Sequence, residues 1–170
     1  MPAIVITGFM GSGKTEVARK LAERLGRNLV DLDDVITQRE GKSPANLISE
    51  NGEPFFRTRE TIALKTTLDD ESNAVVALGG GAWIQEENRR LIENAHATSI
   101  WLDAPFEVCW QRIVESAEDR PLGRTREQAQ LLYDQRLPIY RLAQLHFSYV
   151  ENETVDLFSQ RIAVRIGALK

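Results

Sequence analysis

The feature that most constrains this chain is Gly8-Phe9-Met10-Gly11-Ser12-Gly13-Lys14-Thr15, a GxxxxGK[ST] signature set directly after the apolar run Ile4–Thr7 and opening a helical pattern. Strand, glycine-rich turn and helix in that order let consecutive backbone N–H groups converge on a phosphate with no Cβ in the way. The helix N-terminus adds a partial positive charge. Lys14 supplies a full one, with reach to the β- and γ-phosphates of a nucleotide, and the Thr15 hydroxyl is placed to coordinate the Mg²⁺ that bridges them. Gly11, Ser12, Gly13, Lys14, Thr15 and Glu16 are the expected nucleotide-binding run. A chain that starts this way is committed to strand-helix alternation.

The rest of the sequence continues it. Leu29–Leu32, Ala74–Leu78 and Thr98–Leu102 read as strands, with a weaker strand signal at Phe147–Val150. Between them lie amphipathic patterns. Thr15–Leu25 carries Val17, Ala18, Leu21, Ala22 and Leu25 on one face, and Glu86–Glu93 carries Leu91 and Ile92. This predicts an α/β fold: a P-loop NTPase-like, three-layer α/β/α sandwich around a five-stranded parallel sheet, with ligand-binding loops at the carboxyl ends of the strands. Two stretches interrupt the alternation. Residues 33–68 contain the breaks Gly41-Lys42-Ser43-Pro44 and Asn51-Gly52-Glu53-Pro54 and read as a helical, substrate-binding insertion. Residues 116–127, SAEDRPLGRTRE, carry Arg120, Arg124 and Arg126 without an apolar face and read either as a solvated loop or as a mobile lid that brings arginine onto a phosphate. The expectation is one domain over residues 1–170, with its core in 1–32, 69–115 and 128–170.

Composition narrows the partners. With 21 Lys+Arg against 25 Asp+Glu, a net charge of −4 and a pI near 5.3, a nucleic-acid surface is not expected. The single cysteine, Cys109, excludes a disulfide framework and a multi-cysteine zinc site and fits a reducing compartment. No apolar run approaches the roughly 20 residues of a bilayer span, and the first residues lack the pattern of a secretory leader. A cytoplasmic monomer with no membrane partner is expected. Cys109 shares helical spacing with Phe106 and Ile113 and reads as core. His96 and His146 lack metal-ligand spacing and read as structural, and Trp83, Trp101 and Trp110 read as packing, with Trp83 close behind a triple glycine.

A P-loop specifies a nucleotide and leaves the phosphoryl acceptor open. Asp31-Leu32-Asp33-Asp34 ends the second strand, where period two sets Asp31 and Asp33 on one side. Asp31 is placed to hold a water of the Mg²⁺ shell, Asp33 to orient or deprotonate an acceptor hydroxyl, and Asp34 to cap the following helix. Gly79-Gly80-Gly81 after the third strand permits close approach of backbone to a ligand. Arg57 has Glu53 and Glu60 nearby in sequence, which alone fits a helix-surface ion pair.

Taken in order, the P-loop, Asp31-x-Asp33, Gly52-Glu53-x-x-Phe56-Arg57-x-x-Glu60, Gly79-Gly80-Gly81, Arg120-Pro121-Leu122 and Arg136-x-Pro138-x-Tyr140 resemble the shikimate kinase family over residues 1 to 145. The resemblance implies ATP-dependent phosphorylation of the 3-hydroxyl of shikimate, giving shikimate 3-phosphate and ADP in aromatic amino acid biosynthesis, with Mg²⁺ as the metal. It implies that Arg57 and Arg136 clamp the substrate carboxylate and that Gly80 offers a backbone contact. Asp33 is then the base, and Phe56, Glu60, Pro121 and Leu122 line or support the pocket. Lys14 and Arg120 share the catalytic charge, Arg120 as the lid arginine, while Arg112 stacks on adenine. The chain departs from the family pattern at Pro44, at Gly123 and in the spacing from lid to Arg136. Residues 150–154 offer no basic adenine contact. Alternative readings are a P-loop kinase of another polyol or sugar acid such as gluconate, and a nucleotide-binding module without catalysis.

Overall fold

The computed structural model describes residues 2–116, 125–150 and 152–167. Five strands, β1 (Ile4–Thr7), β2 (Leu29–Asp31), β3 (Val75–Ala77), β4 (Thr98–Asp103) and β5 (Leu145–Ser148), form one parallel sheet in the order β2-β3-β1-β4-β5. β1 lies at its centre, and all four of its residues are buried, as a strand covered on both faces requires. Its side chains alternate between two cores. Ile4 and Ile6 meet Val75, Ala77, Ile100 and Leu102 beneath α1 (Lys14–Leu25) and α8 (Val155–Gly167). Val5 joins Val76, Leu78 and Trp101 on the opposite face, which the remaining helices cover. The result is the expected three-layer α/β/α sandwich.

Between β2 and β3 the chain runs through α2 (Leu32–Glu40), α3 (Pro44–Asn51) and α4 (Glu53–Asp70). Each boundary has a local cause. Gly41 at φ 68° stops α2, and Ser43 caps α3 by accepting the Asn46 N–H at 3.3 Å. Pro44 occupies the first turn of α3, where its missing N–H costs nothing. Beyond β3 come a 3₁₀ turn (Ala82–Ile84) and α5 (Glu86–Asn94). α6 (Phe106–Glu115) and α7 (Arg126–Tyr140) lie between β4 and β5. A reciprocal Thr125/Gln128 capping box starts α7, so residues 126 and 127, read from sequence as lid, begin a helix instead.

β3 is one residue shorter at each end than its apolar run, and two other strand readings shift for a physical reason. β2 ends at Asp31 because that residue turns to cap α2, so Leu32 and Asp33 are helical. β5 spans 145–148, two residues earlier than its sequence signal, because it is the sheet edge. His146 and Ser148 face solvent there, which breaks the apolar run that marked the other strands. Among the described residues no helix is long and apolar enough to cross a membrane.

Candidate active site

The carboxyl ends of β1, β2 and β3 open into a cleft of about 750 Å³ lined by the P-loop, Asp31, Asp33, Gly79, Gly80, Arg112 and Tyr149. Six of the seven nucleotide-run and metal residues read from sequence, Gly11, Gly13, Lys14, Thr15, Glu16 and Asp31, line it. Ser12 is buried behind them, with its Oγ unpartnered.

The P-loop is held by its backbone and by two neighbours. Gly11 and Gly13 sit at φ 76° and 84°, where a side chain is strained, and a Cβ on Gly11 would also strike the Cys109 carbonyl at 2.5 Å. Cys109 is therefore a core residue whose backbone supports the loop. The Lys14 ammonium donates to the Phe9 carbonyl at 2.9 Å, curling its side chain back over the loop. The second neighbour, Tyr149, had no role in the sequence reading. Its hydroxyl donates to the Ser12 carbonyl at 2.6 Å, one ring face stacks on Phe158 at 4.6 Å, and the Arg112 guanidinium lies over the ring at 5.3 Å. Arg112 also donates to the Gly11 carbonyl at 3.2 Å. Arg112 and Tyr149 thus tie two successive peptides of the loop to the outer end of the cleft.

Asp31 connects the two halves of the cleft. One carboxylate oxygen accepts the Asp33 N–H at 3.0 Å, and the other accepts the Thr15 hydroxyl at 2.8 Å. Asp31, and not Asp34, is therefore the N-cap of α2; Asp34 is an exposed first-turn acid. Extended period-two geometry does not set Asp31 and Asp33 side by side. The cap does, by folding Asp33 back over the strand end. The paired hydroxyl and carboxylate at the cleft wall are hard oxygen donors of the kind Mg²⁺ accepts while keeping most of its waters, so the residues present fit that ion.

Asp33 faces the second half. Burial, with the negative charge of Asp31, raises its carboxyl to about 6 against the opposing pull of Lys14 and Arg57. A Cβ on Gly79 would stand 2.8 Å from Asp33 Oδ1, and one on Gly81 would fall on the Arg57 guanidinium. The triple glycine is thus a matter of room for those two side chains rather than of unusual backbone angles. Arg57 donates to Glu53 at 2.9 and 3.1 Å and to Glu60 at 2.8 Å. Sequence allowed a surface pair, but Glu60 is fully buried and Arg57 nearly so, which makes this an internal ion pair. Burial pushes the Glu60 carboxyl up to about 7 although Arg57 pulls the other way, and its Oε1 has no hydrogen-bond partner. Burial works against the charge on Arg57, yet its two glutamates outweigh that and hold it protonated.

Arg136, from α7, is buried and donates to the Gly80 carbonyl at 3.3 Å. The Tyr140 hydroxyl donates to the same oxygen at 2.5 Å. Tyr140 is fully enclosed and pushed up to about 12 by burial, so it remains a neutral donor. With its carbonyl so committed, Gly80 has its N–H left for a ligand. Trp83 does not reach the cleft: it is buried and donates to the Ile139 carbonyl at 2.9 Å, fixing α7 against the 3₁₀ turn. Trp101 stacks on Tyr140, and Trp110 on Phe106. Phe56 is buried in the same core. Arg120, Pro121, Leu122, Gly123 and Arg124 lie outside the described residues.

This arrangement has close counterparts. The family described as Shikimate kinase matches residues 10–166. The shikimate kinase of Ruegeria pomeroyi is 40% identical over 98% of this chain and 86% of its own length, and that of Persephonella marina 37% identical over 87% and 89%. Among solved structures, the shikimate kinase from Acinetobacter baumannii in complex with shikimate superposes with a TM-score of 0.91 at 32% identity, covering 100% of this chain and 95% of its own. The chain belongs to the shikimate kinase family.

Proposed function

We propose that the cleft carries out the family's reaction, transfer of the terminal phosphoryl group of ATP to the 3-hydroxyl of shikimate, with the following division of labour. The observation that supports it best is the position of Asp33: its backbone is tied through Asp31 to Thr15 of the P-loop, while its carboxyl sits against Gly79 under the charge of Arg57. A group placed between a phosphate cradle and a cationic acceptor pocket can align a hydroxyl with a terminal phosphate.

Phosphoryl transfer needs positioning and charge neutralisation more than covalent chemistry. The backbone N–H groups of Gly11 and Gly13 and the Lys14 ammonium receive the phosphates; Lys14 leaves the Phe9 carbonyl to do so, and the Ser12 N–H, which donates to that same carbonyl at 3.1 Å, joins them only by releasing it. Thr15 and Asp31 would hold Mg²⁺, whose chemistry there is to offset phosphate charge. The Arg57 and Arg136 guanidiniums take the planar carboxylate of shikimate, a geometry their forked donors match. Glu53 and Glu60 hold Arg57 at its post. Asp33 accepts the hydrogen bond of the reacting hydroxyl and takes its proton as the bond to phosphorus forms. Arg112 faces the nucleotide base, and Arg120 closes over the phosphates and excludes water. In this reading α2, α3 and α4 form the acceptor-binding insertion of a single kinase domain.

An acceptor comparison tests it. Initial ADP release with MgATP is expected to depend on shikimate and to yield a product phosphorylated on the 3-hydroxyl. Release with gluconate or quinate instead would move the acceptor assignment, and release with no acceptor would reduce the chain to a nucleotide hydrolase.

A further inference from the structure

A second recess, about 560 Å³ in volume, lies beside the edge strand β5, between the end of α7 and the face of α8. It shares no lining residue with the nucleotide cleft. Its wall carries three guanidiniums, Arg141, Arg161 and Arg165, together with the His146 imidazole, and no carboxylate among the described residues. That is an unexpected concentration in a chain with more acidic than basic residues.

Like charges gathered in one concavity repel one another, and several other surface arginines are paired with carboxylates, Arg19 with Glu16 and Glu23 and Arg90 with Glu86. The His146 ring nitrogen meets the Ala143 carbonyl at 2.9 Å, and of the three recess arginines only Arg161 has an ion-pair partner among the described residues. Its Nε and Nη2 hold Glu153 at 3.0 and 2.7 Å, and Nη2 also donates to the Ser148 carbonyl at 2.8 Å. Its guanidinium lies over the Phe158 and Phe147 rings at 4.8 and 5.7 Å, which fixes its plane and leaves Nη1 without a hydrogen bond among the described residues. Arg141 and Arg165 form no ion pair among the described residues. Arg161 and Arg165 are one helical turn apart on α8, so they present to the same side, and Arg141 enters from the end of α7.

From this convergence of one oriented and two uncompensated guanidiniums, we infer that the recess binds a small oxyanion carrying two or more negative charges, a polycarboxylate or a phosphate. Forked planar donors match both chemistries. Convergence of several such forks favours an anion that offers several charged oxygens over a singly charged ion. The site is separate from the kinase reaction and does not depend on the acceptor assignment.

Calorimetric titration of the full chain tests this with shikimate and the magnesium complex of a non-hydrolysable ATP analogue saturating, so that the catalytic cleft, including its terminal phosphate position, is filled. Citrate and inorganic phosphate serve as separate probes at constant ionic strength. At least one is expected to bind saturably, and Arg141→Gln/Arg165→Gln is expected to weaken it tenfold or more while binding of the nucleotide analogue is unchanged; both side chains are exposed, and binding of the analogue reports that the variant folds. Binding of citrate alone would assign the site to polycarboxylates, binding of phosphate alone to phosphoryl groups. No heat above that of equimolar chloride for either probe, or equal binding by the double variant, overturns the inference.

Discussion

The two halves of the proposed catalytic cleft are built on different principles. The phosphate half is eight consecutive residues whose useful groups are backbone N–H donors, backed by the Cys109 carbonyl, Tyr149 and Arg112. The proposed acceptor half collects ionisable side chains from α2, α4 and α7 around Gly79 to Gly81; Asp33 lines the open cleft, while Arg57, Glu60 and Arg136 sit against the triple glycine, with Glu60 and Arg136 buried. A backbone cradle depends on chain conformation and has little to lose when a neighbouring charge changes. A buried charge network stands or falls with each partner, because each removal leaves another group desolvated and uncompensated. Acceptor binding, stability and pH response should therefore be coupled in one half and independent in the other.

The largest test of that contrast is Arg57→Ala. It should raise the shikimate KM by two orders of magnitude or more and leave ATP affinity within twofold in nucleotide titrations. Losing one partner of a buried pair costs about 3–5 kcal/mol. Glu60, already raised to about 7, can take up a proton, so denaturant unfolding should show a loss near the low end of that range, smaller still at pH 6. Arg57→Ala/Glu60→Gln should recover part of the stability but none of the acceptor affinity. Equal damage to ATP binding would break the separation of the halves.

Acidity should act next, and in opposite senses on activity and stability. Asp33 and Glu60 rise from ordinary values of 3.8 and 4.5 to about 6 and about 7. A folded-state pKa above the unfolded one gives a contribution that is fully present below the lower value and lost as pH rises through the higher one. Unfolding free energy should thus fall between pH 4 and 7 on account of this pair, whereas kcat/KM with shikimate should rise, with its acid limb near 6. Parallel profiles would show that Asp33 does not act in its ionised form.

Gly81→Ala is a smaller perturbation of the same half: the new methyl falls on the Arg57 guanidinium, so the shikimate KM should rise about tenfold, the ATP KM staying as it was. In the phosphate half Tyr149→Phe removes one hydrogen bond to the Ser12 carbonyl and keeps the Phe158 stack. A neutral bond of this kind is worth about 1 kcal/mol, so the ATP KM should rise a few-fold with kcat nearly unchanged. A kcat effect exceeding the KM effect would place Tyr149 closer to the chemistry than the loop it braces.

The same contrast explains what could be read in advance. The P-loop was legible because its function is local: one glycine-rich run between a strand and a helix suffices. Asp33 and the triple glycine were legible from their place at strand ends, but Arg57 and Arg136 only through the resemblance of spaced motifs, since nothing in Glu53, Arg57 and Glu60 as helix neighbours tells whether their face meets water or the sheet. Asp34 was misread as the cap because the choice between a four-residue strand and a three-residue strand with a capping Asp31 turns on the tertiary Thr15 bond. Tyr149 was hidden by the two-residue shift of β5: read as strand interior, it in fact leaves the sheet edge and turns onto the loop.

The most direct measurement compares wild type with Asp33→Asn in a single-turnover assay of shikimate phosphorylation, with MgATP affinity determined in parallel. A positioned general base contributes about 10²–10⁴-fold. The account predicts a loss of that size in the transfer rate, with ATP affinity within twofold of wild type. Transfer at the wild-type rate, or an equal loss in ATP binding, would contradict the role of Asp33 as the residue that joins the two halves.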